Sequence, residues 1–496
     1  MTEQRFNLLY EPCIPVVGRG RVSLLDVFED RSLTSLSGTP LQKIALMKFL
    51  LAIAQAAATP ADVDEWLDLG PDGLAEKCVA YLKAHEDCFW LYGPRPFLQM
   101  PACEKAETKA YGAVMPDVAF GNTTLLTQLQ IEPELDNADK FLLLLVQMSL
   151  CFGGKKPYNK LVLTPGYEKK ASAKPGPGIC HMGLLHSFLT GSTLRETLWL
   201  NLMTAEDIAG QRQWTAGLGT PPWEQMPEGE ACPVAEKLKS SLMGRLVPMA
   251  RFCLLTESGL KFTEGVVHPD YSVGMADPSV AMDASGSKPK MLWTDSEKRP
   301  WRQLPALLSF LDAESGHGFF CLGLKKAVEK SSEREDIGDE AQFGIWSGGV
   351  RVSSNAGEQY LTGRDDVVES EARLPYSALG KNWFLEFSAS MEKLEKLASL
   401  LYGSINGYHS TLKVADKSFA SEASGLFWQL AEHTLQELIA ACDRHSDDWT
   451  EEALPALFRK YRAMVLSIYD EACPHDTARQ FETWVRNRPF SGRKHG

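Results

Sequence analysis

Residues 384–401 read FLEFSASMEKLEKLASLL, and their apolar positions decide the fold class. Phe384, Phe387, Met391, Leu394, Leu397 and Leu401 recur at intervals of 3, 4, 3, 3 and 4 residues, the spacing that lines up one face of an α-helix. Phe427, Leu430, Thr434, Leu438 and Cys442 repeat the pattern, and so do Leu454, Phe458, Tyr461, Val465 and Ile468. A shorter segment from Asp476 to Arg486 carries Phe481 and Trp484. Four helical segments joined by short polar loops predict an up-down-up-down four-helix bundle over residues 373–496. Its stripes serve its own core first, and its outer faces offer a docking surface.

Upstream the pattern changes. Residues 1–372 mix short strand-like runs with helices, so the class is α+β: a large, irregular mixed α/β domain followed by the bundle. Phe6-Asn7-Leu8-Leu9 and Arg21-Val22-Ser23-Leu24-Leu25 flank Pro12, Pro15 and Gly18-Arg19-Gly20, which reads as an opening β-hairpin. Thr39 as N-cap, Pro40 at the first position and Gln42 closing a capping box predict a helix through Leu51, with Pro60 at its exit. A second helix is predicted over 137–152, apolar nearly all round and so buried. A third starts at Thr193, with Glu196 three residues on. Strand-like stretches follow at 246–255 and 259–267. Residues 153–183 hold six Gly and four Pro: Gly153, Gly154, Pro157, Pro165, Gly166, Pro175, Gly176, Pro177, Gly178 and Gly183. A connection longer than ~15 residues inside a compact domain is usually functional or disordered.

Composition narrows the function classes. The 496 residues are 44% apolar and 23% charged, which excludes collagen-like, coiled-coil and wholly disordered chains. A net charge of −13 excludes an autonomous, non-specific nucleic-acid coat, because phosphate binding needs local positive charge. The start lacks a charged segment followed by an apolar one, so no secretory signal is read. The most apolar run, 141–152, is too short to span a bilayer, and no membrane is expected. Eleven cysteines, odd in number and without a CxxC pair, predict free and mostly buried thiols in a reducing cytoplasm.

The search for chemistry comes back nearly empty. The chain has no GxxxxGK[ST] loop, HExxH, GxSxG elbow or EF-hand spacing. Gly18-Arg19-Gly20 and Gly217-Leu218-Gly219 complete no dinucleotide fingerprint. Cys180, His181 and His186 suit neither a helix face nor a zinc knuckle and lack a fourth ligand. No metal, cofactor or catalytic residue is therefore assigned. What stands out is a basic run, Lys155, Lys156, Lys160, Lys169, Lys170 and Lys174, against the single acid Glu168. It contrasts with the acidic stretch Asp62, Asp64, Glu65, Asp68, Asp72 and Glu76. A basic loop lets an acidic protein reach phosphates locally; the plainer reading is a solvated loop. Gly153-Gly154 reads equally as a helix C-cap or as backbone able to approach a groove closely.

Several segments together resemble one family, the large subunit (CasA family) of the type I-E CRISPR surveillance complex, Cascade. They are the opening Asn7-Leu8-Leu9-Tyr10-Glu11-Pro12-Cys13-Ile14-Pro15-Val16, with Cys13 where the family usually has Trp; Pro222-Trp223-Glu224; Gly348-Gly349-Val350-Arg351 leading to Arg364-Asp365-Asp366-Val367; and the order of a large mixed domain before a helical bundle. The resemblance implies a non-catalytic subunit that recognises the protospacer-adjacent motif (PAM) on double-stranded target DNA and helps open the duplex for pairing with CRISPR RNA. It also implies contact with the backbone and small subunits of the complex and recruitment of a helicase–nuclease. Ala119-Phe120-Gly121-Asn122-Thr123 is similar to the family loop that holds the guide's 5′ handle, with Phe120 stacking on a base, Asn122 bonding its edge and Thr123 completing the loop. Gly153, Gly154, Lys155 and Lys156 resemble the glycine loop at the PAM duplex, with Gly176-Pro177-Gly178 as the other match. His268 falls where the family places a lysine finger, in a ribbon near Gly265-Val266-Val267. Ser353–Gln359 occupies the place of the polar hairpin that splits the first base pair, and Ser354, Asn355 and Gln359 are its candidate contacts. The competing classes are a stand-alone cytoplasmic enzyme with a site built from scattered Asp, Glu and His, and a protein–protein scaffold using the bundle.

Overall fold

A Thr39 hydroxyl starts the helix at the centre of the N-terminal part. Thr39 Oγ1 accepts from Gln42 N at 3.4 Å while Gln42 Oε1 accepts from Thr39 N at 2.9 Å, and Pro40 opens the Pro40–Ala57 helix. The computed structural model describes residues 5–115, 133–151, 161, 163, 182–269, 277–283, 285–312, 318–334, 341–355, 358–360, 366–376, 380–444 and 449–491. The chain divides into two compact units. One is Met1–Phe310 with Ser315–Ile337 and Phe343–Glu371; the other is Leu311–Glu314 with Gly338–Gln342 and Ala372–Gly496.

In the first unit, Pro40–Ala57 is buried along almost its whole length and packs on helix Asn137–Ser149. Phe49 sets the contact, with ring centroids 5.5 Å from Phe97, 6.0 Å from Phe141 and 5.7 Å from Trp223, each near edge-on. The Trp223 of the Pro-Trp-Glu element is thus a core residue, whose Nε1 donates to Tyr81 Oη at 2.8 Å. The Val63–Ala84 helix, which carries the acidic stretch, bends at Gly70 before Pro71. Its Trp66 stacks on Trp199 at 3.9 Å, and each indole N–H donates to the other residue's carbonyl at 2.9 Å.

The sheets are small. Strand Gln342–Val350 lies between Val367–Pro375 and His186–Thr190 and runs antiparallel to the latter, from Gly344↔Thr190 to Gly348↔His186. Strands Arg251–Leu255 and Leu260–Glu264 pair antiparallel, as the strand-like stretches predict, though both are shorter. The opening hairpin differs from expectation: Ile14–Val16 pairs with Gly20–Val22, and Leu24–Glu29 is a helix. The cause is a capping box in which Ser23 Oγ accepts from Asp26 N and Asp26 Oδ2 from Ser23 N, so residues 23–25 enter a helix rather than a strand.

A polar chain crosses this apolar interior. Lys48 and Asp277, each 1% exposed, pair at 2.5 Å. Ser279 Oγ donates to Asp277 Oδ1 at 2.6 Å and accepts from His186 Nδ1 at 2.8 Å. His186 Nε2 is buried with no partner among the described residues. Lys48 and the hydrogen bonds hold Asp277 down at about 2 despite burial, and burial pushes His186 down to about 3.

The second unit is helical: Lys381–Thr411, Ser418–Glu432, Leu435–Ala441, Ala453–Ala472 and Ala478–Asn487. The first packs against the second, fourth and fifth. The stretch expected as one helix through Cys442 is two, because the chain breaks at His433-Thr434, where Thr434 Oγ1 bonds Ala431 O at 2.8 Å and Tyr461 Oη at 2.9 Å. All ten described cysteines are unbridged, eight of them buried. Among the described residues no helix is long and apolar enough to cross a membrane, and no group of three or more His, Cys, Asp or Glu could hold a metal.

Candidate nucleic-acid interface

Gly183 is the point where three features meet. One residue before it, Met182 N donates to Cys151 O at 3.1 Å. This bond brings together the two ends of the Gly/Pro-rich stretch, whose Leu161 O also accepts from Thr263 Oγ1 at 3.3 Å and whose Leu163 O accepts from Glu230 N at 2.9 Å. Gly183 O accepts from Thr294 N at 2.9 Å, and Leu184 bridges Trp293. A Cβ on Gly183 would stand 3.2 Å from both the Trp293 ring and the Val352 side chain, so a larger residue would push these two side chains back by a few tenths of an ångström.

Val352 leads into a hairpin. Ser353–Asn355 pairs antiparallel with Glu358–Tyr360, in the register Ser353↔Tyr360, Ser354↔Gln359 and Asn355↔Glu358. Its root is tied down on both sides. Arg351 N donates to Asp366 O at 2.7 Å, and Arg351 Nη1 donates to Ser296 Oγ at 3.0 Å. At Gly349 a Cβ would collide with Thr294 Oγ1 and stand 2.8 Å from Leu184 O. Gly349 thus sits where strand Gln342–Val350 is pressed against residues 184 and 294, while a Cβ on Gly348 would stand 2.6 Å from the Trp346 ring. On this edge Lys290, Trp293, Lys298, Arg299 and Arg351 are exposed, as is Glu297, with Asp295 half-buried.

The predicted site residues fall into three groups. The backbone of Ser354, Asn355 and Gln359 forms the hairpin. Phe120, Asn122 and Thr123, and Gly153, Gly154, Lys155 and Lys156, lie outside the described residues, as does Gly176-Pro177-Gly178. His268 is placed otherwise than a groove-reaching finger requires. It is 2% exposed and follows the Leu260–Glu264 strand rather than standing on a ribbon. Its Nε2 donates to Pro248 O at 2.7 Å. Its Nδ1 therefore accepts from Arg245 Nη1, 3.0 Å away, since a guanidinium can only donate. Burial and the Arg245 charge push the imidazole down to about 3, so it is neutral at physiological pH. This histidine is a structural link with no face for DNA.

A stability difference follows. His268→Ala leaves the Pro248 carbonyl and the Arg245 guanidinium short of a partner and is expected to cost about 2 kcal/mol. His268→Lys sets a second cation against Arg245 in a dry site and is expected to cost more, about 3 kcal/mol. Urea unfolding at pH 7 reads both.

The residues that sequence reasoning missed are joined only by tertiary structure. Neither the Arg245–His268 pair nor the tie between Arg351 and Ser296 has a spacing signature. Trp293 did carry a signal, an indole with Lys290, Lys298 and Arg299 close in sequence.

Comparison with known proteins now bears on this edge. A family model described as CRISPR-associated protein Cse1 matches residues 7–468. The CasA/Cse1 protein of Thermus thermophilus is 30% identical over 371 residues, 68% of this chain and 66% of that relative, just under two thirds of its length. Cse1 of Thermobifida fusca has the same fold, with a TM-score of 0.77 at 20% identity over 97% of this chain and 96% of that one. A chain in the structure of a CRISPR RNA-guided surveillance complex gives a TM-score of 0.69 at 17% identity over 98% and 99%. The motifs at Asn7 and Gly348, the strand that ends in a pinned hairpin and the span of the family match agree: this chain belongs to the CRISPR-associated protein Cse1 family.

Proposed function

We propose that the chain is the non-catalytic large subunit of a cytoplasmic Cascade complex, where it recognises the PAM on double-stranded DNA, starts duplex opening beside CRISPR RNA and recruits the helicase–nuclease. The observation that carries the reading is the meeting at Gly183 of the two ends of the lysine-bearing segment and the hairpin root. Positive charge can hold phosphates while the hairpin, whose root is tied at Arg351, splits the first base pair. Opening costs ~1.4 kcal/mol per stacked step and guide pairing largely offsets it, so a few polar contacts decide the balance. Ser354, Asn355 and Gln359 are the proposed hairpin contacts, and Gly153, Gly154, Lys155 and Lys156 the proposed approach to the PAM. Phe120, Asn122 and Thr123 are proposed to hold the guide's 5′ handle. The helical second unit is proposed to dock the small subunits. Exposed apolar side chains on that unit, among them Leu385, Phe419, Leu426 and Phe481, support this role.

The test is purification of the tagged chain with its neighbouring subunits co-expressed, followed by binding to duplexes with and without a candidate PAM. A small RNA and several proteins are expected to copurify. Lys155→Ala with Lys156→Ala is expected to weaken binding about equally across sequences and to flatten the dependence of log K on log salt by about 0.9 per lost phosphate contact. Asn355→Ala with Gln359→Ala is expected to reduce opening while leaving that slope unchanged. A chain that stays alone and RNA-free under co-expression overturns the reading, and intrinsic turnover by it would point to an enzyme.

A further inference from the structure

The hairpin stands on two legs, and one turn grips both. The outgoing leg, strand Gln342–Val350, ends at Arg351, whose Nη1 donates to Ser296 Oγ. The return leg, strand Val367–Pro375, carries Glu369, whose carbonyl accepts from Arg299 Nη2 at 3.1 Å. The turn between Ser296 and Arg299 is itself held: Lys298 N donates to Asp295 O at 3.1 Å and Glu297 N to Asp295 Oδ1 at 3.0 Å, and Trp301 just beyond is buried. The Glu369 side chain adds two more ties. Its Oε2 accepts from Lys43 Nζ at 2.8 Å and from Trp346 Nε1 at 3.1 Å. Lys43 stands in the first turn of the Pro40–Ala57 helix, where the helix dipole favours a carboxylate close by over a cation. Trp346 belongs to the outgoing leg, and its ring passes over Gly348, where a Cβ would also stand 3.4 Å from Glu369 Cβ. The first glycine of Gly348-Gly349-Val350-Arg351 thus leaves the space through which Trp346 reaches across to Glu369.

Resting on the function proposed above, we propose that Glu369 is a positioning residue for duplex opening, which fixes the return leg of the hairpin to the central helix, to the outgoing leg and to the 296–299 turn. Three observations converge. Val367–Pro375 is the edge of its three-stranded sheet, so its backbone has a strand neighbour on one side and leans on side chains for the rest. Glu369 joins three separate elements through one carboxylate oxygen and one carbonyl. Lys43 and Glu369 are both half-buried, and such a pair adds little to stability, so what this convergence supplies is a fixed place rather than folding energy. A hairpin that parts a base pair is pushed back by the pair's tendency to close. Arg351 takes that load on one leg, and Glu369 takes it on the other.

The assembled complex tests this on two target duplexes of one sequence, the first fully paired and the second mismatched beside the PAM and so already open there. Permanganate reactivity of thymines follows the rate of opening, and retention of each duplex is measured alongside. Glu369→Ala is expected to open the paired duplex about 10-fold more slowly, the effect of losing one hydrogen bond to a charged group. It is expected to hold the mismatched duplex as the wild type does, because there the hairpin has no pair to part. Glu369→Gln, which keeps an oxygen for the Trp346 N–H, should fall between the two. Lys43→Met should match Glu369→Ala, and the double variant should be no slower than either, since both act through one bond. Should Glu369→Ala lower the melting temperature, Glu369→Gln and Lys43→Met carry the comparison. Opening at the wild-type rate in these variants overturns the positioning role and leaves the function standing. Equal losses on the paired and mismatched duplexes would make Glu369 a general structural residue and also overturn it, as would additive losses in the double variant. A paired duplex that the wild type itself does not open would instead sink the function reading, and the positioning role with it.

Discussion

Lys48→Met is expected to destabilise the first unit by about 4 kcal/mol in urea unfolding, because it leaves the Asp277 carboxylate buried without its cation. Asp277 cannot turn to water, being 1% exposed, and its remaining partner, Ser279, is neutral. The double variant Lys48→Met with Asp277→Leu is expected to recover most of the loss, since a matched apolar pair removes both charges from the interior. The pH dependence has a definite sign. Asp277 sits at about 2 in the folded protein, below its ordinary 3.8, so its contribution is fully present above that value and is lost as pH falls toward 2. His186 sits at about 3, below 6.5; the unfolded chain takes up the proton first, so stability is lost as pH falls from 6.5 toward 3. Both act in the same direction, His186 from pH 6.5 downward and Asp277 only below about 3.8, so stability measured from pH 7 to pH 4 is expected to decline through His186 and to fall faster below pH 4. A flat profile would show that the network is open to water.

Gly349→Ala is expected to weaken binding of the target duplex by the assembled complex about 30-fold, the equivalent of about 2 kcal/mol of overpacking. The added methyl meets Thr294 Oγ1 and the Leu184 carbonyl, and the carbonyl belongs to backbone that cannot rotate aside. The strand must lift from residues 184 and 294, which moves the hairpin root and the Trp293 segment apart. Gly425→Ala is the control: nothing lies within 4 Å of its Cβ, it sits inside helix Ser418–Glu432, and it is expected to bind as wild type does. Equal affinity for all three proteins would mean that the placement of the root has no part in DNA binding.

Local rules carried the sequence reading wherever an element is set by its own residues. The Thr39–Gln42 box, the strand pair around residues 255–260 and the stripe of Lys381–Thr411 needed nothing from elsewhere in the chain. The reading failed at Ser23, where a capping box hid among strand-like residues, and at His433-Thr434, where a hydroxyl's bonds to Ala431 and Tyr461 break an otherwise continuous stripe. It failed for a different reason at His268. Position relative to a family pattern predicts the surface, whereas Arg245, 23 residues away, and Pro248, 20 away, hold the ring inside. The hairpin was legible from Gly348-Gly349 and the Ser354-Asn355-Ala356-Gly357 run. That Gly183 joins it to the ends of the lysine-bearing stretch was not, because the contacts link residues more than 100 positions apart.

The bond between Met182 and Cys151 has an evolutionary consequence. The stretch between them is also held from within, because Leu161 O accepts from Thr263 Oγ1 at 3.3 Å and Leu163 O accepts from Glu230 N at 2.9 Å, so the scaffold feels it at its two ends and at these two carbonyls. Doubling the length of such an insert adds only ~0.6 kcal/mol of closure entropy. Changes of length and composition are therefore expected to fall in 152–160 and 164–181, on either side of the two held carbonyls, while the clasp and residues 161 and 163 are kept.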